Sequence, residues 1–247
     1  MKNRPVNMGW SWLGETGRPW KIPFDFFGNA QKSCGQYLNI TTATIFLGGV
    51  VSLILYITDE EHARVCEWSA SAVKNGALYV IAHSVTTIGN PVQSTVCTAA
   101  VIIIASGVYG FRFALGGAVI SFASAQSGAL AKLIIARERP RCTGVTVAPD
   151  FSGYSFPSGH ALSATVFCGF VAILGSQIFV QRLKTVILSF SFILWLGISW
   201  SRVILAAHYP SDVIGAQIIG QLFVFFAVFM FDISIRFYTR IPRGSTL

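Results

Sequence analysis

A chain of 247 residues in which 53% are AVILMFWYC and only 11% are Asp, Glu, Lys or Arg cannot cover the surface of a water-soluble globule, where about 25% charge is usual. The same figures exclude disorder, collagen and a disulfide scaffold, and they point to an integral membrane protein built of helices. The balance is basic, 18 Lys+Arg against 10 Asp+Glu for a net +8, but no basic stripe with interleaved aromatics appears. The excess is therefore assigned to the flanks of membrane spans and not to nucleic acid.

Residues 1–40 hold Trp10, Trp12, Trp20, Phe24, Phe26 and Phe27 among basic residues. That composition predicts an interfacial segment with its aromatics at headgroup depth, and without an early apolar run no cleavable signal peptide is expected. Residues 41–232 read as an all-α, six-helix membrane domain. Its apolar stretches are Thr41–Ile57, Thr95–Phe113, Gly117–Ala136, Thr165–Val180, Thr185–Leu205 and Val213–Phe231, each near the ~20 residues that cross a bilayer as a helix. Gly117–Ala136 is milder, with Ser121, Ser124, Gln126 and Ser127, so burial between other helices is predicted for it. Ala77–Ile88 is apolar for only about a dozen residues and contains His83, which predicts an interfacial or re-entrant piece. Residues 233–247 read as a cytoplasmic tail. With the N-terminus inside, eleven of the 18 Lys and Arg fall on inner segments and seven on outer ones. Both termini are thus predicted to be cytoplasmic, in a bacterial inner membrane.

The five cysteines are an odd count without a C-x-x-C pair, which argues against a zinc site and a full disulfide framework. Cys66 and Cys142 both fall on the predicted outer side, and whether they pair is open at this point.

Polar groups concentrate at the outer ends of three spans. In Lys132-Leu-Ile-Ile-Ala-Arg-Glu-Arg139-Pro140 the two outer cations are seven apart, so on a helix they share a face about 10 Å apart along the axis. Pro140 would end that helix at Arg139. A snorkelling lysine explains Lys132 alone but not the three cations that follow it. In Phe156-Pro157-Ser158-Gly159-His160, just before an apolar run, Ser158 is a candidate N-cap. The N–H groups of Ser158, Gly159 and His160 would form an anion site at a helix start. In Ser201-Arg202 through His208 to Asp212, the His and Asp are four apart, close enough for the carboxylate to orient one imidazole nitrogen and leave the other as nucleophile or base. Each cluster has an ordinary structural explanation. Together, cations, amide donors, two imidazoles and a carboxylate at one end of the spans suit phosphate chemistry, in which stabilising charge on the transferring oxygens does most of the work.

K-x6-RP at Lys132–Pro140, PSGH at Pro157–His160 and SR-x5-H-x3-D at Ser201–Asp212 together resemble, in order and without departure, the signature of the phosphatidic acid phosphatase type 2 superfamily. The resemblance extends over residues about 90–232. It implies a six-helix membrane lipid phosphatase that uses a phosphohistidine intermediate and no metal or other cofactor. By position it implies His208 as nucleophile, Asp212 as its orienting partner and His160 as general acid and then base. Lys132, Arg139, Ser158, Gly159 and Arg202 are implied to hold the phosphate. The implied partners are the bilayer and a phosphorylated lipid, whether phosphatidic acid or phosphatidylglycerol phosphate, a polyprenyl diphosphate or a phosphorylated glucosamine lipid; no oligomeric state is implied. The isolated acids Glu138 and Asp150 also fall short of the several carboxylates that a magnesium site would want. Arg137 and Arg141 lie outside the signature and either extend an anion surface or sit at the interface. Three alternatives stand beside this reading. A phosphotransferase would use the same site. A vanadium-dependent haloperoxidase has a similar site but is soluble, unlike a chain with six apolar stretches. A non-enzymatic lipid-binding or transport protein would have no need of His208, His160 and Asp212.

Overall fold

The computed structural model describes residues 61–109, 111–142, 153–178 and 181–240. The predicted interfacial segment 1–40 and the first apolar stretch, Thr41–Ile57, lie outside the described residues, as does 241–247 of the predicted tail. Among the described residues every regular element is a helix: α1 Glu61–Lys74, α2 Gly76–Ile88, α3 Pro91–Tyr109, α4 Phe111–Ile135, α5 Gly159–Ile178, α6 Gln181–Ile204 and α7 Pro210–Arg240. Val213–Phe231 lies within α7, Gly117–Ala136 and Thr185–Leu205 overrun α4 and α6 by one residue, Thr165–Val180 falls in α5 as far as Ile178, and Thr95–Phe113 is divided between α3 and α4.

Phe113–Ile135 in α4, Gln181–Ile204 in α6 and Pro210–Met230 in α7 are each long and apolar enough to cross a membrane, and Gly159–Gly175 in α5 is a shorter apolar helix. Ala77–Ile88 falls in α2, where the expected re-entrant form stands beside that of a broken span. As α2 it is the first limb of an apolar pair, Gly76–Ile88 and Pro91–Gly107, bent by 50°. The break falls at Gly89, where a Cβ would overlap the Ile198 side chain of α6, so only glycine fits so close a crossing. The helix α7 continues past residue 232 to Arg240, so the first part of the predicted tail is helical.

The helix α5 is central and packs against α3, α4, α6 and α7. Its contact with α7 is close because Gly169 faces Val224, where an added Cβ would lie 2.5 Å from Cγ2; small residues let helices approach in lipid, where van der Waals packing drives association. Across to α6, Trp195 Nε1 donates to Thr165 Oγ1 at 2.8 Å. The prediction of a buried α4 is corrected. Gly117, Ile120, Ser124 and Gly128 turn inward, but Gln126, Val119, Phe122, Leu130 and Leu133 are exposed. The period of these inward positions makes one packed stripe on a peripheral helix.

Two helix ends shape the site, the first as the sequence reading has it and the second not. The apolar run at Thr165 is entered from Gly159 because Ser158 caps the helix, its Oγ accepting from Ala161 N at 3.5 Å. In turn α4 stops at Ile135, with Ala136 at φ 47°, so Lys132 and Arg139 do not share one helix. Residues 136–142 leave the bundle without regular structure. They are tied to α1 by a disulfide between Cys66 and Cys142, whose Cα atoms are 5.3 Å apart.

Candidate active site

The C-terminal ends of α4 and α6, the N-terminal ends of α5 and α7, and the first turn of α1 meet at one end of the bundle. The turn after α6 is a Schellman motif. Ala206 takes φ 47°, Ala206 N donates to Val203 O at 2.9 Å, and Ala207 N and His208 N both donate to Arg202 O at 3.0 and 3.2 Å. The freed carbonyls of α6 thereby hold His208 directly beyond the helix end. The next helix opens on Pro210, where a missing N–H costs nothing. Asp212 in its first turn reaches back so that Oδ2 accepts from Tyr209 N at 2.9 Å, the reciprocal half of a capping box. One short run, His208 to Asp212, is thus fixed at both ends by backbone groups that the helices leave unpaired.

His208 is 2% exposed and Asp212 0%. Asp212 Oδ2 lies 3.7 Å from His208 Nδ1, beyond hydrogen-bonding range, and the Ser155 hydroxyl sits between them. Ser155 donates to Asp212 Oδ2, and its Oγ is 3.3 Å from His208 Nδ1. On the other side of the ring, Nε2 lies 3.1 Å from Arg139 Nη1. A neutral imidazole with its proton on Nδ1 satisfies both contacts and leaves the Nε2 lone pair aimed at the cationic side. Burial pushes the His208 pKa down to about 4; Asp212 opposes this, while Arg139 and Arg202 reinforce it. The ring is therefore uncharged at neutral pH.

The cations come from three places. Lys132 Nζ, near the end of α4, donates to Tyr154 O at 2.7 Å. Arg139 donates through Nε to Gly153 O at 3.0 Å and through Nη1 to Ala207 O at 2.7 Å. Burial lowers the pKa of Arg139, against the pull of Asp212, yet a guanidinium remains charged. Arg202, 2% exposed, donates to Thr86 Oγ1 of α2 at 2.6 Å. His160, in the first turn of α5, feels the fields of Arg202, His208, Arg139 and Lys132. All the residues implied by the signature are thus brought to one end of the bundle, but Ser158 differs from expectation. It is 0% exposed, its N–H donates to the Asp212 carbonyl at 3.2 Å, and its hydroxyl caps α5. The donors that the helix start keeps for an anion are those of Gly159 and His160.

Sequence reasoning missed three groups. Arg137 contacts Asp212 Oδ1 and Glu61 Oε2, both at 2.8 Å, and lies 4.0 Å over the Tyr209 ring. It neither extends an anion surface nor sits idle at the interface, and its two carboxylates outweigh burial to raise its pKa. Glu61 stood in an acidic run with Asp59 and Glu60, with nothing to single it out. Ser155 carried no motif. Arg141 instead pairs with Glu138 at 3.2 Å on the exposed surface.

Beside Lys132 and Gly159 a cavity of about 240 Å³ runs between α3, α4 and α5. The hydroxyls of Thr95, Thr98 and Ser163 on its wall donate to carbonyls of their own helices, while the buried Ser121 hydroxyl on the same wall has no hydrogen-bond partner among the described residues. Among the described residues, no three His, Cys, Asp or Glu side chains converge as a metal site would require.

A curated relative, the lipid A 1-phosphatase of Rhizobium johnstonii, is 34% identical over 125 residues, 47% of this chain and 48% of the relative. The match thus spans about half the length of each. Among solved structures, a transmembrane PAP2-type phosphatidylglycerolphosphate phosphatase from Bacillus subtilis superposes with a TM-score of 0.58, at 21% identity, over 83% of this chain and 98% of that one. At that identity the likeness is one of fold. The sequence model of the PAP2 superfamily matches residues 107–236, a stretch that runs from the end of α3 into α7 and holds all three polar clusters, and the chain belongs to that superfamily.

Proposed function

We propose that this protein is a lipid phosphatase that hydrolyses a terminal phosphate monoester or diphosphate at the outer leaflet through a phosphohistidine intermediate. The observation that carries the reading is the orientation of His208, with Nδ1 toward Ser155 and Asp212 and Nε2 beside Arg139. In the proposed reaction Nε2 attacks phosphorus, and the phosphorus–oxygen bond to the lipid breaks as His160 protonates the leaving alkoxide. Water then attacks phosphorus, giving its proton to His160 and releasing phosphate from His208. Lys132, Arg139 and Arg202, with the N–H groups of Gly159 and His160 at the start of α5, neutralise the transferring oxygens. The cavity beside Lys132, mostly apolar along its wall, suits the hydrocarbon portion of such a substrate.

Because three cations supply the charge, no metal is needed. Purified protein in EDTA is expected to release phosphate from lipid phosphates, and vanadate, which mimics a five-coordinate phosphoryl group, is expected to inhibit. Activity lost in chelator and restored by a divalent ion would overturn the cation cradle.

The reading places the site on the periplasmic face of a bacterial inner membrane. Two observations support this side: the distribution of Lys and Arg, and the Cys66–Cys142 disulfide at the site's end of the bundle, since disulfides persist in oxidising compartments. Lys74 adjoins the packed cluster of Ala72 and Leu205. In a Cys34→Ser, Cys97→Ser background, Lys74→Cys is expected to react with an impermeant maleimide in spheroplasts. Labelling only after membrane disruption would move the site to the cytoplasmic face.

A further inference from the structure

Glu61, on α1, lies outside the three signature clusters and outside the stretch matched by the superfamily. It is nonetheless 5% exposed and fully engaged. Oε1 accepts from Ser211 N at 2.8 Å, and Oε2 accepts from Ser211 Oγ at 2.9 Å and from Arg137 Nη2 at 2.8 Å. Arg137 uses its other terminal nitrogen for Asp212 Oδ1 at 2.8 Å and Ser211 Oγ at 2.6 Å. The groups run in the order carboxylate, guanidinium, carboxylate, imidazole. Their backbones are tied as well: Cys66, farther along α1 from Glu61, is bonded to Cys142, farther along the segment that carries Arg137.

A planar guanidinium can fork between two carboxylates, which a lysine cannot do. With Oδ1 held by Arg137, the Asp212 carboxylate turns Oδ2 toward Ser155 and His208. A lone cation on Oδ1 would also cancel much of the field that Asp212 exerts on the imidazole. Glu61 supplies the compensating charge.

We infer that Glu61 and Arg137 are a pair of positioning residues for His208: Arg137 fixes the Asp212 carboxylate, and Glu61 neutralises Arg137 so that Asp212 keeps its electrostatic hold on the nucleophile. This inference rests on the phosphatase reading. The charged and titratable groups facing His208 are Asp212 from α7, Arg139 from the segment after α4, Arg202 from α6 and His160 from α5, with the Glu61–Arg137 pair behind Asp212.

Two substitutions move the field in opposite directions. Glu61→Gln keeps an acceptor for Ser211 N–H but leaves Arg137 uncompensated, which makes His208 harder to protonate. Arg137→Met removes the cation and leaves His208 facing more negative charge, which makes it easier to protonate. The test is the pH dependence of kcat/KM for an aryl phosphate with purified full-length protein, together with the thermal midpoint of each variant. The acid limb is expected to move to lower pH in Glu61→Gln and to higher pH in Arg137→Met, each by on the order of half to one unit. In both variants kcat falls while KM changes little, because the pair does not touch substrate. A merely structural role would lower the thermal midpoint without moving the limb. An unmoved limb in Glu61→Gln, or movement of both variants in the same direction, overturns the inference; should Arg137→Met fail to fold, Glu61→Gln decides alone. Wild-type protein that releases no phosphate from any substrate overturns the phosphatase reading and this inference with it, whereas active wild type with an unmoved limb overturns only the inference.

Discussion

His208→Ala is expected to form no phosphoenzyme and to lose turnover altogether, because it removes the only protein atom that bonds to phosphorus in the proposed reaction. His160→Ala is expected to behave differently. Its loss slows both leaving-group departure and water attack by about 10²–10⁴-fold, the range of general acid–base catalysis. An aryl phosphate needs little protonation when its bond breaks, so with that substrate His160→Ala can still phosphorylate His208. The second step stays slow, and phosphoenzyme accumulates. Asp212→Asn is expected to weaken the nucleophile without abolishing it, since the carboxylate orients and stabilises the ring without bonding to phosphorus. The measurement is rapid quenching at alkaline pH, where phosphohistidine survives, followed by detection of labelled protein. Label retained in His208→Ala, or mapped to His160 in the parent enzyme, would reverse the assignment.

Arg139→Ala is expected to lower kcat/KM by about 10²–10³-fold, as loss of a preorganised charge on a transferring group does. Much of that loss should persist in Arg139→Lys. Arg139 is held by Gly153 O on Nε and Ala207 O on Nη1, and its Nη1 also sets the position of the His208 ring. An ammonium offers a point charge in place of a planar fork and cannot reproduce those directions together. Steady-state kinetics of both variants on one lipid phosphate decide the matter. Full recovery in the lysine variant would mean that charge alone matters at this position.

The three motif clusters were legible because each pairs a residue of fixed chemistry with a local backbone signal: Pro-Ser-Gly-His at a helix start, His208 four residues before Asp212, cations beside Pro140. Such signals are local, and so are the forces behind them, the unpaired amides and carbonyls of helix ends. The exact helix ends were less legible. Pro140 suggested an end at Arg139, but α4 stops at Ile135, and the freed segment 136–142 is drawn to α1 by the Cys66–Cys142 bond and the Arg137–Glu61 pair. Ser158, expected as an amide donor to an anion, is spent on the α5 cap and on the Asp212 carbonyl. The polar residues of α4 suggested a buried helix, and only one stripe of it is.

By itself, then, the amino-acid sequence determined that this is a helical membrane protein with the three motifs of its superfamily at the ends of its spans. Apolar length and charge scarcity dictate membrane helices irrespective of how they pack, and the spacings of His208, Asp212, His160 and Lys132 report local geometry. Only the tertiary structure decided that Glu61, from a helix distant in sequence, neutralises Arg137 behind Asp212, that Ser155 lies between the carboxylate and the imidazole, and that Thr86 of the broken α2–α3 pair receives Arg202. Those partners are set by helix packing across long sequence separations, and the identity of a single Glu, Ser or Thr carries no trace of which neighbour that packing will bring to it.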